Sequence, residues 1–146
     1  MSAIRRADVS WEGDLATGGG VVTASSSNAF SELPVSWAAR TEQPDKTSPE
    51  ELIAAAHASC FAMAFSSDLA KSGTPPQRLA VSASVSFDKV DGKWTVQSSA
   101  LTVRGVVPGL DQAGFAAAAE GAKDGCPVSR ALVGNVQLSV DATLEG

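Results

Sequence analysis

Between Thr47 and Phe65 the chain reads TSPEELIAAAHASCFAMAF, a helix that is apolar on nearly every side. Its limits are written in the flanking residues. Ser48 can cap, Pro49 suits the first helical position, and Glu51 completes an S-x-x-E capping box. The exit is Lys71-Ser72-Gly73 followed by Pro75-Pro76, which gives about 24 residues, or roughly 36 Å at 1.5 Å each. Ile53, Ala56, Phe61, Ala62, Met63, Ala64 and Phe65 lie on several faces rather than in one stripe. A helix of that kind must be covered on more than one side. One small sheet covers only one side, so a second chain is expected against it.

The segments around this helix read as strands. Before it, Ala7, Val9 and Trp11 alternate with Asp8 and Ser10, Gly18-Gly19-Gly20 punctuates, and Val21-Val22-Thr23 restarts. A third short strand is expected at Val35 to Ala39, with residues 41 to 48 as a loop. After the helix, Leu79 to Phe87 and Val136 to Leu144 alternate apolar and mostly polar residues. Each has one dry face, as in an antiparallel sheet with helices on one side. Asp88 to Lys93 reads as a hairpin connection and Trp94 to Arg104 as the returning strand. Pro108-Gly109 ends that strand. Asp111 caps a second helix, on which Phe115, Ala118, Ala119 and Ala122 share a face. Gly125 stops it directly before Cys126, and CPVSRAL opens one more helical turn. The 146 residues fit a single domain spanning 1–146.

Composition narrows the function. A net charge of −5 with scattered basic residues argues against nucleic acid, because phosphate backbones call for Lys/Arg clusters. No stretch reads as the roughly 20 apolar residues that a membrane crossing needs, so no membrane partner is expected. MSAIRRADVSWEGD has basic residues with no apolar run after them, unlike a secretory signal. The expected compartment is therefore the reducing cytoplasm. There two cysteines are more often reactive or metal-binding than a structural staple, although free cysteine is also among the most buried residue types.

The two cysteines and one histidine carry the candidate chemistry. Cys60 lies mid-helix, too far from the helix N-terminus for the dipole to activate it, and burial would raise its pKa. A reactive Cys60 needs a cation or a base from elsewhere. His57, three residues back, could form a Cys–His nucleophile, or could hydrogen-bond within the core. Cys126, in DGCPVS between two helical pieces, suits the resolving partner of a two-cysteine redox cycle, or is a loop thiol that happens to be buried. There is no C-x-x-C and no H-x-x-x-H, so a zinc site would need Cys60, His57, Cys126 and a carboxylate to converge. No phosphate loop or dinucleotide fingerprint is present. Glu50 in the first helical turn is explained by the dipole alone, and Arg40 could be a solvated side chain.

TSPEELIAAAHASCFAMAFS, followed much later by GCPVS, closely resembles the OsmC branch of the OsmC/Ohr family of thiol peroxidases. WEGD at 11–14, the hairpin at Asp88 and VPGLD at 107–111 also look like that family. The resemblance implies an α+β, OsmC-like fold, with antiparallel sheets around long central helices in an intertwined homodimer. It implies reduction of organic hydroperoxides, and less efficiently hydrogen peroxide, as an antioxidant response, with no metal or bound cofactor. By position Cys60 resembles the peroxidatic cysteine, Cys126 the resolving one, Glu50 the catalytic carboxylate and Arg40 the catalytic arginine. An external dithiol, such as a lipoyl or thioredoxin-like protein, would be the electron donor.

Physical chemistry adds a constraint to that resemblance. Arg40 would supply the cation that Cys60 lacks, and Glu50 would hold its guanidinium in place. Ten residues on one helix separate Glu50 from Cys60 by roughly 15 Å along the axis and about 80° around it. A second copy packed antiparallel would relieve that mismatch. The site is therefore expected to be completed at a homodimer interface, with the monomer inactive. Phe61, Met63 and Phe65 are expected to be mainly core, with any near the pocket mouth favouring an apolar peroxide. A Cys60–His57 thiol hydrolase or acyltransferase, and a non-catalytic dimeric scaffold, are the competing readings.

Overall fold

The capping and turn chemistry of the chain places ten elements in a computed structural model that describes residues 1–146. They divide into two compact units, Met1–Leu52 and Ile53–Gly146.

In the first unit, strands β1 (Asp8–Glu12), β2 (Gly19–Thr23) and β3 (Leu33–Val35) form an antiparallel sheet in sequence order. β1 and β2 pair from Asp8 opposite Thr23 to Glu12 opposite Gly19. The strand expected at Val35 to Ala39 is corrected. Strand geometry stops at Val35, and the Ser36 hydroxyl accepts the Ala39 N–H at 3.2 Å, a helix cap. The chain turns there into a short helix α1 (Trp37–Thr41), whose last turn carries Arg40.

Helix α2 (Pro49–Lys71) has the predicted ends. Ser48 Oγ accepts the Glu51 N–H at 3.1 Å, while the Glu51 carboxylate accepts a 2.8 Å bond from the Thr47 hydroxyl. At the other end Gly73 takes φ = +87°. Its N–H reaches the Ala70 carbonyl and the Thr74 N–H reaches the Leu69 carbonyl, the paired bonds of a Schellman stop. By length and apolar composition this 23-residue helix would suffice to cross a membrane, which corrects the expectation that no segment would. Its many alanines read as filler beside the bulkier residues, yet they count as apolar surface.

In the second unit, β4 (Arg78–Val90) and β5 (Lys93–Val106) form a long antiparallel hairpin. Asp91 and Gly92 make its two-residue turn at φ = +51° and +77°, the left-handed pair that such hairpins require. Helices α3 (Gln112–Gly125) and α4 (Pro127–Leu132) follow, and then β6 (Gln137–Leu144). The order in the sheet is β4-β5-β6, and β6 runs parallel to β5 rather than antiparallel. The helical crossover through α3 and α4 returns the chain to the same end of the sheet, which a parallel pair needs.

The core of this unit is built on one stripe of α2. His57, Phe61, Phe65 and Leu69, spaced four apart, are buried. Alternate β5 residues Ser99, Leu101 and Val103 are buried as well, with Phe115, Ala119 and Ala122 of α3. The Phe65 ring packs in a tilted arrangement against two others, with centroids 5.4 Å from Phe61 and 5.1 Å from Phe115. Phe115 lies so close to β5 that a Cβ on Gly105 would fall 2.6 Å from its ring. Phe61 and Phe65 are thus core residues, whereas Met63 is 73% exposed.

Candidate active site

Two polar clusters arise, one in each unit. In the first, Arg40 Nε and Nη2 donate to Glu50 Oε1 and Oε2 at 3.0 and 2.7 Å. Such a two-pronged pair fixes the plane of the guanidinium, which a lysine could not do. The Glu50 side chain is 8% exposed and that of Arg40 26%. Arg40 Cζ also sits 5.4 Å from the centre of the Trp37 ring, within cation–π range. A nearly all-apolar cavity of about 370 Å³ opens beside the guanidinium, lined by Val9, Trp11, Leu15, Val22 and Trp37 among others. Trp37 and the cavity were not among the sequence candidates. The cation and carboxylate are brought together as expected.

The second cluster joins the two cysteines. Cys126 caps the junction of α3 and α4: its N–H donates to the Ala122 carbonyl and its own carbonyl accepts the Arg130 N–H. That turn brings its buried thiol near Cys60, and both thiols are free. The Val128 backbone N–H, two residues further on, lies near the same Cys60 sulfur. Burial is the largest influence and pushes the Cys60 thiol up. The Val128 N–H pulls it down, and Cys126 adds to the rise. The net effect is upward, so this unit by itself keeps Cys60 protonated near neutral pH.

His57 does not act on Cys60. Its ring is fully buried, with Nδ1 bonded to Ser99 Oγ of β5 at 2.6 Å and Nε2 to Ser129 Oγ of α4 at 2.8 Å. Burial holds its pKa below the usual histidine value. Both ring nitrogens are occupied, which disfavours a Cys60–His57 nucleophile. Ser99, Ser129 and Val128 were not singled out by sequence. A serine on the dry face of β5, in line with Leu101 and Val103, was the available signal for Ser99.

The fold and the paired thiols define a class. The OsmC-like protein family model matches residues 42–141, and the chain belongs to that family. It is 38% identical over 138 residues to "Peroxiredoxin OsmC" of Escherichia coli (strain K12), covering 94% of this chain and 96% of that protein. An "Organic hydroperoxide resistance protein" of Xanthomonas axonopodis pv. citri is 30% identical over 97 residues, 66% of each chain. The fuller and closer match to the OsmC protein places the chain in the OsmC branch. Among solved structures, an organic hydroperoxide resistance protein from Elizabethkingia anophelis superposes with a TM-score of 0.75, covering 99% of this chain and 100% of that one. At 20% identity it supports the α+β, OsmC-like fold.

Proposed function

We propose that the protein is a peroxidase of hydroperoxide resistance that reduces organic hydroperoxides, and less efficiently hydrogen peroxide, through a pair of cysteines. The observation that carries this reading is the proximity of Cys60 to Cys126, 66 positions apart in the chain and joined by no local geometry. The named relatives support the peroxidase role.

In the proposed reaction the Cys60 thiolate attacks the distal oxygen of the hydroperoxide. The O–O bond breaks, the alcohol leaves with a proton, and Cys60 becomes a sulfenic acid. The Cys126 thiolate then attacks the Cys60 sulfur. The S–S bond forms, the S–O bond breaks, and water leaves. An external dithiol, of lipoyl or thioredoxin-like chemistry, returns both cysteines to thiols, and no bound cofactor or metal takes part.

Ionising Cys60 needs a cation, because burial opposes it. Arg40, oriented by Glu50, is the proposed source, supplied at the interface of a homodimer. It would stabilise both the thiolate and the charge that develops on the leaving oxygen. The apolar cavity beside Arg40 suits the organic part of a hydroperoxide, whose burial contributes about 25 cal/mol per Å². The proposed setting is the cytoplasm, with neither nucleic acid nor membrane as partner.

The test is intact mass and a non-reducing peptide map after one equivalent of cumene hydroperoxide, with hydrogen peroxide in parallel. The expected result is a loss of about 2 Da, two hydrogens, with a Cys60–Cys126 linked peptide that forms faster with the organic oxidant. Free thiols that survive a large excess of either oxidant would refute the reading.

A further inference from the structure

The proposed reaction leaves one buried titratable group unused. His57 is fully buried and spans two elements, β5 through Ser99 and α4 through Ser129. Ser129 is itself 1% exposed and has no route to water as an alternative partner. It follows Val128 directly, whose backbone N–H lies near Cys60. Cys126 lies three residues before Ser129, at the entry to the same short helix. One imidazole therefore ties the segment that carries both groups near Cys60 to the central strand of the sheet. His57 also stands one helical turn before Cys60 on α2. The tie thus fixes α4 against the helix that bears the sulfur it must meet.

Resting on the two-cysteine reading above, we infer that His57 is a positioning residue for the resolving step: through Ser129 it holds α4 so that Cys126 captures the Cys60 sulfenic acid before a second hydroperoxide does. The two fates of the sulfenic acid compete. Attack by Cys126 forms the S–S bond and expels water. Attack on a second hydroperoxide adds an oxygen to Cys60, breaks another O–O bond, releases a second alcohol and gives a sulfinic acid that thiols do not reverse. The first route depends on where α4 stands, and the second does not require Cys126 at all. Loosening α4 shifts the balance toward the sulfinic acid.

The experiment measures that balance by mass spectrometry of Cys60 across a series of cumene hydroperoxide concentrations, with a dithiol present. The readout is the concentration at which half of the turnovers, counted as cumyl alcohol released less sulfinic acid formed, end with Cys60 as sulfinic acid. It is a ratio within molecules that have already reacted, so a reduced folded fraction or a slower first step does not move it.

In Ser129→Ala and in His57→Gln, whose amide can still reach one serine, the half-point is expected at about fivefold lower hydroperoxide, the scale of one lost hydrogen bond. In Ser99→Ala, which leaves the link to α4, a smaller shift is expected. In a Cys126→Ser background the Ser129→Ala change should add nothing. Wild type that forms the disulfide, with Ser129→Ala having the same half-point, would overturn the inference and leave the two-cysteine reading standing. So would an equal shift from Ser129→Ala in the Cys126→Ser background. Wild type that forms no Cys60–Cys126 bond would overturn the reading and the inference together.

Discussion

His57 has the plainest linkage at the scale of single residues. Burial lowers its folded pKa from the ordinary 6.5, so the unfolded chain takes up the proton first as the pH falls. Stability from this residue is complete above about pH 6.5 and declines through that value until the folded imidazole protonates too. Denaturant melts between pH 7.5 and 5.5, above the carboxylate range, should show wild type losing stability toward acid. His57→Asn, with no group titrating there, should lose less. A flat wild-type profile across that window would contradict the assignment of His57 as a buried neutral ring. Arg40 and Glu50 illustrate a different economy. The carboxylate is nearly buried and its charge is answered by two parallel bonds, so removing Arg40 leaves that nearly buried charge without them.

At the scale of elements, the contact of β5 with α3 turns on a missing side chain. Gly105 lies where any Cβ would meet the Phe115 ring at 2.6 Å and the Leu79 side chain at 3.0 Å. Gly105→Ala is expected to destabilise the fold by about 1–3 kcal/mol, an overpacking cost, measured as a lower urea midpoint at unchanged slope. An unchanged midpoint would mean that Phe115 can move aside. The elements also show what the sequence could and could not reveal. α2 was legible to the residue because Ser48, Pro49 and Gly73 are local signals that need no partner. α1 was missed because five residues carry too little periodicity, and a single Ser36 cap decided between strand and helix. The direction of β6 was illegible for another reason. Alternation says which face is dry, and it is identical for a parallel and an antiparallel neighbour. In the site, Arg40, Glu50, Cys60 and Cys126 came from motif resemblance. The partners of His57 lie 42 and 72 positions away, where only the folded chain brings them in.

At the scale of the whole molecule, the buried stripe of α2 leaves much of the helix uncovered. Ala55, Ala56, Met63 and Ala70 are exposed, and only 22% of its most apolar window is buried. Association of two chains over this helix is expected. Sedimentation velocity at micromolar concentration should give twice the 14.8 kDa chain mass. Met63→Glu, harmless on an isolated chain because that side chain is 73% exposed, should shift the protein to monomer and abolish hydroperoxide turnover. A wild-type monomer with full activity would rule out a shared site. The separation of the two thiols along the chain has a further consequence, which belongs to protein synthesis. Cys60 leaves the ribosome 66 residues ahead of Cys126, and at a translation rate of ~5–20 residues per second that head start is roughly 3–13 s. On the proposed two-cysteine reading, each nascent chain displays for that interval a thiol whose resolving partner has not yet been made. On that reading, copies under construction when an oxidant arrives would be the ones open to irreversible oxidation, and the finished copies would have to bear the defence.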